Sequence, residues 1–549
     1  MHVGVGFTEM LLAVVMLFGG GAAVAPVGVP MEPDAGLQSA APPECLFYFS
    51  YAGQGTPQAD SKNQVEALFA EPEIQAFLGE LDRLINEGLK KIPADNDEQR
   101  VVAENLPVVV RTLLSRPAIL YLAQVDVPGG PGGKPPGGNA AIVVNAGDRA
   151  AAVVNALEEF EKLYLANIPS NQPVEKIDIE GVGVRRLPMP PGAPPLAWGR
   201  KDDYIFIALG EEEAAAVVKR LGAKAGPPQW LVDLHKTLAV PRPTATTYLN
   251  VAAIVKTVEP LFPLLEQNLP PPLNDVGKLL DTTGLKHLKY VAVGAGLDVE
   301  TAVSKFVVAH DGAPEGLLSI GSGKPLGTDD FKAIPADVEF ATVGRFDAGQ
   351  TYQLLRKLAE KIAPAEAIEQ FDHEIKLAED AIGVDLEDDL LAGIGDKWSL
   401  YSSASQGGLL FTGLCLQVNV RDQAKIERVI EQVLRRLDFE MRRNDDKIFD
   451  VRKTTVGGKT ISYAQFSVPS PVVPAWCFDG NSLIVALSPQ MVRAHVTRPA
   501  GDASLADSKL VQRHLASGDV TSLSYQDTHL GLQFLYSYAQ YLATAVPVH

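Results

Sequence analysis

Two stretches of the chain repeat each other, and this repeat constrains the fold more than any other feature. Residues 197–209 (AWGRKDDYIFIAL) align without a gap to residues 475–487 (AWCFDGNSLIVAL), at an offset of 278 residues. Two shorter matches flank this pair: 142–148 with 416–422 at an offset of 274, and 231–235 with 510–514 at an offset of 279. Three collinear blocks with nearly constant offsets indicate a duplicated unit of about 100 residues.

Each copy carries the same pattern of helices and strands. The predicted elements are a strand (140–145 or 411–419), a helix (149–166 or 423–441), further strands, and a second helix (211–222 or 488–497). The order β-α-β-β-α-β with an extra hairpin predicts duplicated ferredoxin-like (split β-α-β) units of α+β class, with antiparallel sheets and helices packed on one face. We expect Asp148 and Asp422 to cap the first helix of each copy. Trp198 and Trp476 should be buried against the helices of their own copies.

The N-terminus has the pattern of a signal peptide. Residues 10–18 form an apolar run too short to span a bilayer, and Ala23-Val24-Ala25 offers the small-x-small pattern of a cleavage site. The n-region departs from type, because it has no Lys or Arg. The alternative is a disordered apolar tail on a cytosolic protein.

At 549 residues the chain exceeds one compact core, so it should divide into domains. The predicted segments are a signal peptide (1–25), a flexible Pro/Ala/Gly leader (26–43), a first α+β copy (44–242), a connecting strand-helix-hairpin region (243–334), a second α+β copy (335–516), and a C-terminal strand and helix (517–549). A Gly/Pro run at 128–138 is predicted to be a mobile loop.

A shorter repeat of strands predicts a difference between the copies. The strands are 45–51, 244–250, 338–346 and 520–526. After 244–250 the chain continues into a helix (251–267) and strands at 285–296, 301–309 and 316–320, whereas after 520–526 only a helix (527–544) follows. The second copy should therefore lack a hairpin at one sheet edge, and we expect the C-terminal helix to cover that edge and to provide a self-association surface.

The charge balance excludes some partners. Lys plus Arg total 48 and Asp plus Glu total 67, giving a net charge of −19. Nucleic acid and anionic lipid both need a concentrated basic surface, so neither is an expected partner. Contact with a membrane is expected only through an uncleaved signal segment, because no later run reaches 18 apolar residues.

Most polar clusters in the sequence have a structural explanation. Gly321-Ser-Gly-Lys324 lacks both the earlier Gly and the following Ser/Thr of a phosphate loop, since Pro325 stands there, and is predicted to be a turn. Asp372, His373 and Glu374 are consecutive on a helix, so they cannot converge on one ion. The acidic residues Asp385, Glu387, Asp388 and Asp389 lack calcium-loop spacing and suit a helix start.

No motif of a metalloprotease, a serine hydrolase or a Cys-x-x-Cys site is present. The sequence therefore assigns no catalytic, cofactor-binding or metal-binding residue. His235 and His514 occupy equivalent repeat positions, which we attribute to common descent of one helix position. Cys45 is not a lipidation site, and Cys415 and Cys477 are predicted to be buried thiols that form a disulfide only if their strands are adjacent.

Several motifs resemble a known family. These are 44–53 (ECLFYFSYAG), 383–391 (GVDLEDDLL) followed by 393–396 (GIGD), and 316–320 (GLLSI) with 334–337 (IPAD). Over roughly residues 43 to 549 the chain resembles a large exported bacterial domain of unknown function, frequent in planctomycetes. The resemblance implies export and an α+β fold, and it implies no activity.

These observations favour an exported, non-catalytic binding or scaffolding protein of the bacterial envelope, periplasmic or extracellular. Its partner would be an envelope protein or an apolar ligand. The alternatives are an envelope hydrolase whose site forms only in three dimensions, and a carrier that holds an apolar ligand in a dry cavity.

Overall fold

The structure is a computed structural model in which two compact units can be distinguished. It describes residues 29–90, 96–127, 137–167, 173–189, 193–210, 212–223, 225–270, 273–321, 323–407, 410–441, 449–467, 470, 472–527 and 530. The first unit takes Met1–Gln267 and Lys286–Ala313, and the second takes Asn268–Leu285 and Pro314–His549. The predicted connecting region 243–334 is thus divided between the units.

The first unit combines a large sheet with helices. Its strands are β1 (Val29–Pro30), β2 (Phe47–Tyr51), β3 (Gln54–Gly55), β4 (Ala118–Asp126), β5 (Gly137–Asn145), β6 (Glu175–Ile179), β7 (Val182–Leu187), β8 (Leu196–Lys201), β9 (Tyr204–Leu209), β10 (Arg242–Leu249), β11 (Leu288–Leu297) and β12 (Ala302–His310). Its helices are α1 (Ala35–Ala40), α2 (Gln64–Phe69), α3 (Pro72–Lys90), α4 (Asp97–Ser115), α5 (Ala150–Asn167), α6 (Glu213–Ala223), α7 (Gln229–Leu238), α8 (Val251–Val258) and α9 (Phe262–Glu266).

The second unit has a similar content. Its helices are α10 (Val276–Thr283), α11 (Ala348–Ile362), α12 (Ala365–Ile382), α13 (Ala404–Gly407), α14 (Gln423–Met441), α15 (Pro489–Thr497) and α16 (Lys509–Leu515), with a π-helical segment at Leu386–Leu391. Its strands are β13 (Phe340–Arg345), β14 (Ile394–Ser402), β15 (Leu414–Val420), β16 (Phe449–Val456), β17 (Lys459–Phe466), β18 (Ala475–Asp479), β19 (Ser482–Ala486) and β20 (Ser522–Gln526).

Eight strands of the first main sheet have the same order as the eight strands of the second, and every pairing in both sheets is antiparallel. The first sheet runs β12-β11-β10-β2-β4-β5-β9-β8-β7-β6, and the second runs β20-β13-β14-β15-β19-β18-β17-β16. Once β12 and β11 are set aside, the eight strands of each sheet follow the same order in the chain and in space. The predicted α+β class with antiparallel sheets is confirmed.

The cross-strand register also agrees. Trp198 lies opposite Ile207 in the first sheet, as Trp476 lies opposite Val485 in the second. One row of the first sheet runs through Tyr248, Tyr48, Tyr121, Ala141, Ala208 and Ala197. The matching row of the second runs through Tyr525, Ala341, Tyr401, Cys415, Ala486 and Ala475.

Helices contact both faces of the first sheet, so the predicted packing on one face is wrong. Neighbouring residues of β9 point to opposite faces. Phe206 packs in one core with Val217 of α6 and Leu234 of α7, whereas Ile205 packs with Val153 of α5. The almost wholly apolar sequence of β9 follows from this, because both of its faces are covered.

The predicted flexible leader (26–43) is also wrong for the residues that the structure describes. Val29 and Pro30 pair with Gly55 and Gln54, and residues 35–40 form α1. Leu37 and Ala40 of α1 are 3% and 0% exposed. Apolar residues at this spacing bury one face of even a short helix, and the Pro and Ala content concealed that pattern. We refer to residues 29–42 as the strap.

The predictions for the helix caps, the two tryptophans and residues 316–320 are confirmed only in part. Asp422 caps α14 by accepting from Lys425 N (3.1 Å), but Asp148 lies in a 3-10 turn before α5 and pairs with Arg116. Trp198 is 6% exposed, whereas Trp476 is only half-buried. Residues 316–320, predicted as a strand, belong to a 3-10 helix.

Several predictions fall outside the described residues. They concern the signal peptide (1–25), most of the Gly/Pro loop (128–136), Ser322 of the Gly321–Lys324 turn, and nearly all of the predicted C-terminal helix with its self-association surface (528–529 and 531–549). The hairpin predicted to be missing from the second copy can be compared with the described strands. Among the described strands of the second sheet, none follows β20 in the place that β11 takes beside β10.

Candidate functional site

The first unit contains two adjoining cavities where the strap crosses the ends of several strands; together we call them the strap cleft. The outer cavity has a volume of about 300 Å³, and the inner one about 50 Å³. The two share Pro33, Asp34 and Pro117. The outer cavity is lined by Met31, Glu32, Pro33, Asp34, Ala35, Gly36, Arg116, Pro117, Asn145 and Tyr204.

Asp34 fixes the strap to the sheet. Its Oδ1 accepts from Leu37 N (2.8 Å), which caps α1, and from the Tyr204 hydroxyl (2.9 Å). Its Oδ2 accepts from Asn145 Nδ2 (2.5 Å). A carboxylate that accepts three hydrogen bonds is held in one orientation. Asp34 is therefore a rigid wall of the outer cavity.

The far end of the strap is held by two side chains from helices. Arg220 Nε of α6 donates to Ala40 O, and Trp230 Nε1 of α7 donates to Pro42 O, both at 2.9 Å. These contacts supply hydrogen-bond donors to two backbone carbonyl groups of the strap, which would otherwise lack a protein partner.

The outer cavity offers fixed donors and acceptors. Burial and the neighbouring Asp34 carboxylate raise the pKa of Tyr204 to about 12, so its hydroxyl stays protonated. The Arg116 guanidinium, about a quarter exposed, pairs with the exposed Asp148 at the rim. The cavity thus presents charged and neutral hydrogen-bonding groups to one volume, which suits a polar ligand.

The inner cavity contains a buried hydroxyl without a hydrogen-bond partner in the described part of the chain, together with an uncharged imidazole. Thr244 of β10 is 6% exposed and its hydroxyl has no partner. The imidazole of His235 on α7 also lines this cavity, and burial lowers its pKa, so the ring is neutral at neutral pH. A buried polar group left unpaired costs about 1–3 kcal/mol. The volume suits ordered water or the polar end of a ligand.

The same residues do not form a hydrolytic triad. Ser50, His235 and Asp34 all line the inner cavity, yet the three hydrogen bonds to Asp34 come from other groups. Ser50 interacts with the Tyr48 hydroxyl. A triad needs a nucleophile bonded to its base and a base oriented by a third group, and these contacts direct the hydroxyl and the carboxylate elsewhere.

A buried ionic cluster lies beneath the strap. The Tyr121 hydroxyl donates to Glu213 Oε1 (2.6 Å), and Arg220 Nη2 donates to both Tyr121 (2.5 Å) and Glu213 (2.6 Å). Tyr121 is 0% exposed, and Glu213 is 4% exposed. Since Arg220 also holds Ala40, this cluster joins α6, the sheet and the strap.

In the second unit the matching tyrosine, Tyr401, has a different partner. Its hydroxyl lies 3.0 Å from His495 Nδ1 on α15. Burial lowers the pKa of His495, and the nearby Lys459 and Arg498 act in the same direction, while Asp479 opposes them. Lys459 and Asp479 pair with each other.

Of the residues singled out by sequence, His235 lines the strap cleft and Asp148 pairs with Arg116 at its rim, while the others are not among the lining residues. Asp372 pairs with Arg356 (2.6 Å) on neighbouring helices. Asp385 caps the segment 386–391 by accepting from Asp388 N (2.6 Å), as the acidic cluster predicted. His514 lies on α16, the helix that matches α7 in chain order, and only His235 of the pair lines a cavity described here.

All three cysteines are buried free thiols. Burial raises the pKa of Cys45 and Cys415 to about 12 and that of Cys477 to about 11, so they are poor nucleophiles. Strand β19 lies between the strands of Cys415 and Cys477. Two strand spacings make about 9.6 Å, which exceeds the roughly 7 Å limit between the Cα atoms of a disulfide.

The described residues contain no group of three or more His, Cys, Asp and Glu side chains that could hold a metal ion. No helix within the described ranges combines the length and apolarity needed to cross a bilayer.

Sequence reasoning missed most of the strap cleft. Asp34, Asn145 and Tyr204 belong to separate parts of the chain, and Thr244 looks like an ordinary strand residue. One signal was available: Pro33-Asp34 before residues 35–40 has the form of a helix N-cap, which would have predicted α1.

Comparisons with protein-family models, with curated proteins and with solved structures gave no match to this chain.

Proposed function

We propose that this protein is an exported, non-catalytic binding protein of the bacterial envelope that holds a small polar ligand in the strap cleft. The observation that carries the proposal is the unpartnered Thr244 hydroxyl in the inner cavity, which the neutral imidazole of His235 also lines. A ligand group that donates and accepts would satisfy both side chains and offset the cost of burying them.

The fixed walls of the outer cavity support the same proposal. The side chains of Asn145 and Tyr204 both donate to Asp34 before any ligand arrives, so binding would require little ordering of these side chains. The polar lining favours a polar ligand over the apolar cargo that a carrier with a dry cavity would hold.

Ligand capture and a threonine substitution test the proposal. Protein isolated from its native envelope should show a bound small molecule in native mass spectrometry, and polar compounds should raise its melting temperature. Thr244→Val keeps the shape but removes the hydroxyl, so it should weaken binding about tenfold. Thr246→Val is the matched control, because Thr246 is also buried on β10 but does not line the cleft. Failure of every polar compound to stabilise the protein would contradict the proposal.

The hydrolase alternative has a different test. A triad at the cleft would have to form from Ser50 and His235 after rearrangement, because their present contacts do not join them. Turnover of generic ester substrates that disappears in both Ser50→Ala and His235→Gln would favour the hydrolase.

Export is part of the proposal and rests on the signal-like N-terminus. We expect the mature chain to begin after residues 23 to 25, close to the start of β1 at Val29. Mass spectrometry of the purified N-terminus measures this directly. An intact Met1 in the cytosolic fraction would contradict export.

We also infer that the two units arose by duplication of one enlarged split β-α-β unit. The shared strand order and register support this inference. In the first sheet α5 joins β5 to β6, and in the second α14 joins β15 to β16. The two joined strands run parallel, and three strands lie between them in each sheet. A split β-α-β unit has one strand at this place, so the enlarged unit contains an additional hairpin. An experimental structure with different strand orders in the two units would refute it.

A further inference from the structure

The second sheet ends at β20, a strand with one unpaired edge in the described structure. On its other side β20 pairs with β13: Asp527 N donates to Glu339 O (2.8 Å), and Arg345 N donates to Thr521 O (3.1 Å). Backbone groups alternate in direction along a strand. The N–H and C=O groups of Ser522, Ser524 and Gln526 therefore point away from β13, toward the open edge.

The matching position in the first unit is filled. Tyr248 of β10 and Tyr525 of β20 occupy the same row of their sheets. The edge of β10 that faces away from β2 pairs with β11 from Arg242 to Leu249. This place in the architecture can therefore accept an antiparallel strand along its whole length.

Charge distinguishes β20 from the other three edge strands of the two main sheets. Edge strands are normally protected by charged side chains, Pro or bulges. The other edges carry such charges: Glu175, Lys176 and Asp178 on β6, Lys305 on β12, and Asp450, Arg452 and Lys453 on β16. The sequence of β20, Ser-Leu-Ser-Tyr-Gln, has no charge, no Pro and no Gly.

We propose that the protein self-associates through this edge, with β20 of one subunit pairing antiparallel to β20 of a second copy about a two-fold axis at Ser524. Ser524 then lies opposite Ser524 of the partner subunit, and Ser522 lies opposite Gln526 of the partner subunit. Leu523 lies opposite Tyr525 of the partner subunit on the side of the sheet that faces the core.

The pairing suits the chemistry of the strand. A two-fold contact brings the same surface of both subunits together, so the edge must be complementary to itself. An uncharged strand meets this condition despite the net charge of −19, because no like charges face each other across the axis. Pairs of hydroxyl and amide side chains, and an aliphatic side chain against an aromatic one, are favourable across strands.

Substitutions at Ser524 test the proposal in the full-length protein. Sedimentation should give a species of twice the 58.7 kDa chain mass. Ser524→Pro should give monomers, because Pro removes an outward N–H and leaves the backbone hydrogen bonds to β13 in place; it removes only the side-chain bond to Thr342. Ser524→Ala should remain dimeric. Ser304→Pro on β12 is the matched edge control and should also remain dimeric. Circular dichroism and melting temperature verify that each variant is folded.

Charge exchange provides a test that does not alter the backbone. The Ser524 side chain is exposed, so Ser524→Lys and Ser524→Glu should fold. Each alone should be monomeric because like charges meet at the axis, whereas an equimolar mixture should form heterodimers. A wild-type protein that stays monomeric at high concentration would overturn the proposal. A dimer unaffected by Ser524→Pro and Ser524→Lys, or a mixture that remains monomeric, would do the same.

Discussion

Tyr121 and Tyr401 occupy the same position in their respective sheets, opposite Ala141 and Cys415, and both are fully buried. Each tyrosine places one hydroxyl in an apolar core, which requires a hydrogen-bond partner. The first unit supplies Glu213 and Arg220, and the second supplies His495. The same architectural position is thus satisfied by an ion pair in one unit and by a neutral imidazole in the other.

The ion pair predicts a large effect for a single substitution. Arg220→Leu leaves the carboxylate of Glu213 buried and uncompensated, which should lower the free energy of unfolding by about 3–5 kcal/mol. The double variant Arg220→Leu/Glu213→Leu should recover most of this loss. Urea unfolding measures both. Arg83→Leu is the control, because Arg83 pairs with Glu80 and Glu87 on an exposed helix surface, where solvent screens the ion pairs, and should leave stability nearly unchanged.

His495 predicts a loss of stability in mild acid. Burial places its folded-state pKa below the ordinary value of 6.5, so the unfolded chain binds the proton first as pH falls. The contribution of the neutral His495 imidazole to the free energy of unfolding is therefore complete above pH 6.5. It is lost as the pH falls below that value, by up to about 1.4 kcal/mol per pH unit. His235 contributes in the same direction.

Unfolding measured from about pH 7.5 to about pH 5.5 checks this dependence. His495→Gln keeps a group that can bond Tyr401 and should flatten the profile. His373→Gln, at an exposed helix position, should retain the wild-type profile. A wild-type protein whose stability rises as pH falls through this range would contradict the assignment.

Because all three thiol groups are buried, we predict that the cysteines are unreactive in the folded protein. Their raised pKa values and burial should prevent alkylation of Cys45, Cys415 and Cys477 in the folded protein near neutral pH, whereas denaturant should make all three reactive. Mass spectrometry counts the labels. A disulfide between Cys415 and Cys477 in the non-reduced protein would show that β19 does not separate their strands.

The strap predicts that residues before the first long strand stabilise the fold. Leu37 is 3% exposed, so Leu37→Ala should lower the free energy of unfolding by about 2–5 kcal/mol. Val299→Ala, at a site that is 59% exposed, should have an effect within about 0.5 kcal/mol. Denaturant unfolding compares them, and equal effects would mean that the strap is a loose leader after all.

Repeat matching predicted the relations between strands better than it predicted packing. Trp198 and Trp476, which align in sequence, also have matching cross-strand partners, because residues at matching strand positions keep the same alternation of faces. Burial differed: Trp198 donates to Glu161 Oε2 (3.0 Å) under α5, while Trp476 is only half-buried. Burial depends on the helix that covers the sheet at that point, and the repeat does not specify it.

The sequence by itself determined the α+β class and, through the repeated blocks, which strands of the two described sheets correspond. These depend on local periodicity and on offsets between repeated blocks, both of which are visible along the chain. Only the tertiary structure decided that residues 29–42 form the strap and that a cleft lies beneath it. Asp34 meets Asn145 and Tyr204 across 111 and 170 residues of chain, and contacts at such separations arise from the strand order of the whole sheet, which no local pattern encodes.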